Sequence, residues 1–217
     1  MTSSGPRLRV TEVFFSLQGE ASRVGLPTVF IRLTGCPLRC GYCDSEYAFK
    51  GGTWMSPAEI VTETRKYPTR HVTVTGGEPL AQRDCTALLT RLCDAGYDVS
   101  LETSGALDIA GVDPRVARIV DIKTPGSGEM GRMLWGNLDA LTPRDEVKFV
   151  LCDAADYAWA SQVVRERRLH ERVAILFSPV WGRLKARDLA EWILRDGLPV
   201  RMQLQLHKLL WGEEPGR

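Results

Sequence analysis

Val29-Phe30-Ile31-Arg32-Leu33-Thr34-Gly35-Cys36-Pro37-Leu38-Arg39-Cys40-Gly41-Tyr42-Cys43-Asp44-Ser45 is the stretch that decides how this chain folds. Its first part is a short apolar run that predicts a strand over residues 29–33. Cys36, Cys40 and Cys43 then crowd into the eight residues that follow Gly35. Three thiols at spacings of four and three can wrap one metal centre. Structural zinc asks for four ligands, and no fourth Cys or His lies nearby. Three thiolates suit a cubane 4Fe–4S cluster with one iron left open. The plainer alternative is a tight turn of buried cysteines.

Outward from that stretch, strands and helices alternate. Ser56-Pro57-Ala58-Glu59 announces a helix with a capping box and an early proline, running to about residue 67. Residues 72–75 form the next strand, ending at Gly76-Gly77. A helix over 80–95 follows, with Cys85, Leu88, Leu89 and Leu92 on one face and Gly96 as its stop. Strands over 97–102, 118–122, 146–151, 173–177 and 200–206, and helices over 153–168 and 185–195, complete the pattern. Such alternation predicts an α/β fold with a parallel sheet. The expected form is a partial, open parallel β/α barrel of about six βα units, since a closed eight-stranded barrel usually takes ~250 residues; a flat doubly wound sheet is the alternative. One domain is expected: an N-terminal substrate-binding segment over 1–27, the partial barrel over 28–208 and a C-terminal tail over 209–217. The Gly-rich loop over 124–132 lies inside it and reads as functional.

The unusual residues share an address. Cys36 to Cys43, Gly76-Gly77-Glu78-Pro79, Thr103-Ser104-Gly105, Lys123, Ser178-Pro179 and His207-Lys208 each follow a predicted strand. Parallel α/β folds place their ligand sites at those carboxyl ends. One site built from many loops is the economical reading.

Composition narrows the classes. The chain has 217 residues, 44% hydrophobic and 25% charged, with 28 Lys+Arg against 27 Asp+Glu and a net charge of +1. This excludes a disordered chain and gives no electrostatic footprint for direct nucleic-acid binding. No run approaches the ~18–20 apolar residues of a membrane span. The start, Met1-Thr2-Ser3-Ser4-Gly5-Pro6, lacks the marks of a signal peptide. A cytoplasmic protein without a membrane partner is expected. In that setting Cys85, Cys93 and Cys152 read as core thiols.

Cys36-x3-Cys40-x2-Cys43, with Tyr42 before the last cysteine, and Gly76-Gly77-Glu78-Pro79 after the second strand, resemble the signature of the radical S-adenosylmethionine superfamily. Within it the whole chain resembles the 7-carboxy-7-deazaguanine synthase family. Phe15-Ser16-Leu17-Gln18-Gly19-Glu20, Phe30-Ile31-Arg32-Leu33-Thr34-Gly35-Cys36, Cys43-Asp44-Ser45, Glu102-Thr103-Ser104-Gly105 and Gln205-Leu206-His207-Lys208 carry the likeness in order. Two departures stand out. Ser45 replaces the family's usual threonine, and Asp121-Ile122-Lys123 replaces a common Ser-Pro-Lys.

The resemblance implies a 4Fe–4S cluster on Cys36, Cys40 and Cys43. It implies S-adenosylmethionine against Tyr42, Cys43, Asp44, Gly77, Glu78, Ser104, Asp121, Ile122, Lys123, Ser178 and Pro179, and Mg²⁺ on Ser45. A pterin substrate would meet Leu17, Gln18, Gly19, Glu20, Arg32, Thr75, Gln205 and His207. No side chain is expected to be the catalyst: the resemblance implies that S-adenosylmethionine is cleaved to a deoxyadenosyl radical, which takes hydrogen from 6-carboxy-5,6,7,8-tetrahydropterin. The ring contracts and ammonia leaves. A flavodoxin or similar reductant and a homodimer belong to the same expectation. Arg32 in an apolar strand must be paired or exposed, and a grip on the substrate carboxylate uses it best. Gln205 and His207 are expected on one side of the last strand. Asp121-Ile122-Lys123 keeps open an activase of a glycyl-radical enzyme, and a non-catalytic Fe–S or zinc module is the third reading.

Overall fold

Alternation inside the strands builds the architecture of this protein, a computed structural model describing residues 5–212, 214 and 216. The start 1–4 and residues 213, 215 and 217 of the tail lie outside the described residues. In Val72-Thr73-Val74-Thr75 and Val99-Ser100-Leu101-Glu102, the apolar residues are fully buried against helices. Their polar neighbours point to the opposite face, as the two-residue period of a strand requires. The same alternation recurs in Ile119-Val120-Asp121 and Val147-Lys148-Phe149. One face of the sheet therefore packs on helices, and the other carries polar groups into the barrel interior.

The strands are β1 (Leu8–Leu17), β2 (Pro27–Leu33), β3 (Thr53–Met55), β4 (His71–Gly76), β5 (Asp98–Thr103), β6 (Ala117–Asp121), β7 (Glu146–Leu151), β8 (Ala174–Pro179) and β9 (Arg201–Met202). They form one open sheet in the order β3-β1-β2-β4-β5-β6-β7-β8-β9. Pairing is parallel from β2 to β9, while β1 runs antiparallel to both β2 and β3. The open parallel β/α barrel thus holds, extended by two antiparallel strands into a mixed sheet.

Helices α1 (Pro57–Thr64), α2 (Cys85–Asp94), α3 (Ala154–Glu166) and α4 (Ala186–Asp196) cover the outer face, and a short α5 (Leu206–Trp211) follows β9. The capping box is present: Ser56 accepts from the Glu59 backbone, and Glu59 accepts from the Ser56 N–H. Ile60 of α1 and Leu88, Leu89 and Leu92 of α2 pack against β2, β4 and β5. Tyr157, Ala160 and Val164 of α3 pack against Phe149 and Phe177, whose rings meet edge-on at 5.4 Å. Each such side chain contributes about 1.5–3 kcal/mol by leaving water.

Two sequence expectations are corrected and one is filled in. Within the N-terminal segment, Leu8–Leu17 form β1, the longest strand of the sheet. Its register shifts between Val10 and Glu12, and this irregularity breaks the alternation that would have announced it. The helix over 80–95 is a 3-10 turn, Pro79–Ala81, followed by α2. The last strand is two residues long, not 200–206. The chain leaves the sheet there because the Leu206 N–H binds the Gly19 carbonyl at 3.0 Å. Gln205 is therefore the cap of α5 and His207 lies within it; they do not share a strand face.

Candidate active site

At the carboxyl ends of the parallel strands lies a cavity of about 670 Å³. The cysteine loop forms one wall. Cys36, Cys40 and Cys43 all face the cavity, half-buried and free of disulfides. Cys36 Sγ accepts from the Leu38 N–H at 3.4 Å. The 124–132 loop buttresses this wall: Gly41 N–H binds Ser127 O at 3.0 Å, and Arg39 N–H binds Glu129 at 2.6 Å. The Arg39 guanidinium also lies over the Phe49 ring at 4.2 Å. Burial raises all three thiols, Cys40 to about 11. Without metal each keeps its proton, so loading a cluster would release protons.

Among the described residues no group of three or more His, Cys, Asp or Glu converges as a mononuclear metal requires. A cubane does not ask for such convergence, since each thiolate binds a different iron. The donor set therefore fits a 4Fe–4S cluster better than zinc.

Beside the cysteines runs the glycine turn. A methyl on Gly77 would lie 2.5 Å from Gly35 O and 2.6 Å from Cys36 Cβ. Only glycine lets β4 end this close to the cysteine loop. Glu78 is fully buried and turned from the cavity. Its carboxylate accepts from the Leu80 N–H, the Thr103 hydroxyl and both the N–H and hydroxyl of Ser104. It clamps β5 to the glycine turn. Ile122, Ser178 and Pro179 are likewise buried behind the wall, and Val180 and Trp181 line the cavity instead.

Ser45 and Asp44 extend the cysteine wall. The Ser45 hydroxyl donates to Asp44 Oδ1 at 2.8 Å, which leaves its oxygen lone pairs available to a hard cation. Asp44 Oδ2 pairs with Lys208 of α5 at 2.8 Å. Burial works to raise the Asp44 carboxyl, but Lys208 outweighs it and holds the group far below the usual range. Tyr42 lines the cavity and reaches the Val150 carbonyl at 3.4 Å.

The opposite wall is a polar network. Gln18 is buried and donates to Thr73 at 3.1 Å and to Glu102 at 3.4 Å. Thr75 donates to Glu102 at 2.8 Å. Glu20 takes Lys148 at 2.7 Å, Gln205 at 2.8 Å and Gln203 at 3.3 Å. Asp121 pairs with Lys123 at 2.9 Å and Lys148 at 3.6 Å, all through Oδ2. Its Oδ1 is buried with no hydrogen-bond partner among the described residues. Such an orphan acceptor suits a ligand presenting N–H or O–H groups. Arg32 binds Glu12 through Nε at 2.7 Å, and its guanidinium lies over Tyr47 and Phe14. Phe14 stacks on Phe30 at 4.9 Å in the same wall. Leu17, Gly19 and His207 complete it. Burial pushes the His207 imidazole below its ordinary value, so it is neutral at pH 7.

Eighteen of the site residues expected from the sequence thus line one cavity, and Glu78, Ile122, Ser178 and Pro179 stand behind it. Sequence reasoning overlooked Glu12, Glu102, Lys148 and Gln203 as site residues. The signal for Glu102 and Lys148 was available: each is a polar member of an apolar-polar strand alternation. Glu12 is hidden by the bulge in β1 and Gln203 by the early end of β9.

Comparison with known proteins agrees with this geometry. The family model described as the Radical SAM superfamily matches residues 30–123. The chain is 46% identical to the 7-carboxy-7-deazaguanine synthase of Koribacter versatilis, covering 95% of this chain and 98% of that protein. It is also 46% identical to the Chlorobaculum tepidum protein of the same name, covering 99% and 98%. Among solved structures, QueE from Escherichia coli has the same fold, with a TM-score of 0.77 at 24% identity over 93% of this chain and 95% of that one.

Proposed function

Because the chain belongs to the radical S-adenosylmethionine superfamily and, within it, to the 7-carboxy-7-deazaguanine synthase family, we propose that it contracts 6-carboxy-5,6,7,8-tetrahydropterin to 7-carboxy-7-deazaguanine with loss of ammonia. This is a carbon–nitrogen lyase reaction in 7-deazapurine (queuosine) biosynthesis. The observation that carries the reading is that the cysteine loop and the polar network face each other across one cavity. The activase alternative gives way to it, since relatives bearing the synthase name align over essentially the whole chain.

The 4Fe–4S cluster and S-adenosylmethionine, when bound, supply the radical chemistry. The protein binds, orients and shields. Cys36, Cys40 and Cys43 would hold three irons and leave the fourth to S-adenosylmethionine. Tyr42, Asp44, the Gly77 backbone, Ser104, Asp121 and Lys123 would hold that cofactor, with Asp121 Oδ1 taking one of its donors. Glu78, Ile122, Ser178 and Pro179 serve it by shaping the wall from behind.

Arg32, anchored by Glu12 through Nε, keeps its two terminal nitrogens for the substrate carboxylate. Ser45 would offer one oxygen to Mg²⁺, whose role there would be to hold and orient the substrate carboxylate. Glu20 and Glu102 are acceptors among donors, suited to the N–H edge of a pterin ring. Gln18, Thr75 and Gln205 orient those two carboxylates. Neutral His207, with Leu17 and Gly19, closes the ring face, and the Phe14–Phe30 stack supplies apolar surface. Fixing the substrate in this way removes orientational freedom and excludes water before the reaction starts.

A flavodoxin-type reductant, a homodimer, a cytoplasmic setting and the absence of direct nucleic-acid contact belong to the same proposal and rest on the resemblance and the charge balance. No helix among the described residues is long and apolar enough to cross a membrane. The test is anaerobic incubation of the reconstituted, reduced protein with S-adenosylmethionine, Mg²⁺ and 6-carboxy-5,6,7,8-tetrahydropterin, read by mass spectrometry. Formation of 7-carboxy-7-deazaguanine is expected; unchanged pterin beside cleaved S-adenosylmethionine would overturn the substrate.

A further inference from the structure

Resting on that reading, we propose that Lys148 is a positioning residue shared by the two halves of the site, holding Glu20 for the pterin and Asp121 for S-adenosylmethionine with one ammonium group. Lys148 lies mid-strand in β7, where Val147, Phe149 and Leu151 face the core and Lys148 and Val150 face the cavity. Its side chain is 12% exposed. Nζ lies 2.7 Å from Glu20 Oε2 and 3.6 Å from Asp121 Oδ2. Asp121 is its direct neighbour in register on β6, whereas Glu20 comes from the loop after β1, 128 residues away in sequence. Among the described residues, no other lysine or arginine lies within ion-pair distance of both carboxylates: Lys123 pairs with Asp121 alone, from its own strand end.

The arrangement has a chemical consequence. By drawing Oδ2 of Asp121 toward itself and Lys123, Lys148 leaves Oδ1 unpaired. By taking Oε2 of Glu20 while Gln205 takes Oε1, it fixes the plane of that carboxylate. Burial opposes the charge on all three groups. Glu20, Asp121 and Glu102 together outweigh it at Lys148, which stays protonated, and Lys148 outweighs it at Glu20. At Asp121 Lys123 and Lys148 together do so. Glu102 on β5 and His207 on α5 face the same cluster, and Arg32 on β2 faces Glu102. At Glu102 burial outweighs Lys148 and raises the carboxyl. Without Lys148, burial would raise Glu20 in the same way and weaken it as an acceptor for the pterin N–H groups.

The test uses the anaerobically reconstituted protein without reductant, so that binding is read and not turnover. Dissociation constants for the pterin and for S-adenosylmethionine are measured by equilibrium dialysis between about pH 6 and pH 9. Lys148→Met is expected to weaken both ligands by about tenfold or more at pH 7, with pterin affinity recovering as pH rises and Glu20 ionises. Lys148→Arg keeps the charge and should restore most of both affinities and the wild-type pH profile. Unchanged affinities in Lys148→Met, or loss for one ligand only, would overturn the proposal.

If Lys148→Met fails to fold, Glu20→Gln decides. It frees Lys148 to move onto Asp121, so S-adenosylmethionine affinity should fall about threefold although Glu20 belongs to the other half. An unchanged value overturns the coupling. If the wild type does not bind the pterin, the substrate reading fails by itself, and the S-adenosylmethionine arm of both variants still tests Lys148.

Discussion

Gly19 lies directly under the imidazole of His207. A methyl at Gly19 would overlap Nδ1 and sit 3.0 Å from Cγ, so the imidazole would have to leave its present place. The contact is fixed by the hydrogen bond from Leu206 N–H to Gly19 O. Gly19→Ala should therefore displace the His207 ring and raise the pterin KM about tenfold or more, leaving cluster content and S-adenosylmethionine binding intact. Steady-state kinetics with varied pterin checks this; an unchanged KM would show that His207 does not need its present place.

Replacing Cys36, Cys40 or Cys43 by Ala should each abolish the iron–sulfur chromophore and turnover, because two thiolates retain a cubane poorly. Cys85→Ala, Cys93→Ala and Cys152→Ala should keep the chromophore. Cys85 and Cys152 are buried core thiols held protonated by burial, so their loss affects stability first. Iron and sulfide analysis of the six variants separates the two groups.

Arg32→Lys preserves charge and loses the planar fork. The bond to Glu12 made through Nε would be lost or would consume the new ammonium. Pterin affinity should drop by about tenfold or more, while reductive cleavage of S-adenosylmethionine without pterin continues. Loss of both activities together would assign Arg32 a structural role.

Ser45→Thr keeps the oxygen and should be near neutral. Ser45→Ala removes it, and Mg²⁺ already keeps several waters, so turnover should fall and demand more Mg²⁺ while the cluster stays. Titrating turnover with Mg²⁺ in the three proteins is decisive: superimposable curves for wild type and alanine would remove Ser45 from the metal.

Acid stability should report on Asp145, away from the cavity. Its carboxylate is 1% exposed. Burial works to raise it, but hydrogen bonds from Arg118 and Thr142 outweigh that and hold it below the usual range. A depressed carboxyl contributes stability that is full above its unfolded value of about 3.9 and is lost as pH falls through the folded value. Asp145→Asn should cost about 3 kcal/mol at pH 7, by leaving Arg118 buried without its charge partner. It should also flatten the acid limb of a denaturation series; an unchanged limb would place the sensitivity elsewhere.

Much of this molecule was legible because strands with one buried face must alternate. Val72-Thr73-Val74-Thr75 announces both a strand and a polar interior. Ser56 and Glu59 announce α1 because a helix start needs acceptors for its free N–H groups. What could not be read depended on distant partners. The bulge at Val10–Glu12 concealed β1 and so concealed the partner of Arg32. The turn of the chain into α5 is decided by Gly19 O, which no local pattern near Leu206 encodes. Glu78 shows the opposite error: its motif marks the right turn, but its carboxylate is consumed by Thr103 and Ser104.

The loop after β1 meets the far end of the chain without joining it as a strand. Ala21 N–H reaches Gln203 Oε1 at 2.8 Å, 182 residues on, and Ser22 Oγ takes Arg201 at 2.9 Å. Contacts of such long range close a large loop and form late in folding. The backbone hydrogen bonds of the cysteine loop reach no further than Ser127, although Tyr42 also reaches Val150 and Asp44 reaches Lys208. The backbone of the metal-binding wall can therefore form before the pterin wall, which waits for the last strand and α5 to return to the loop after β1.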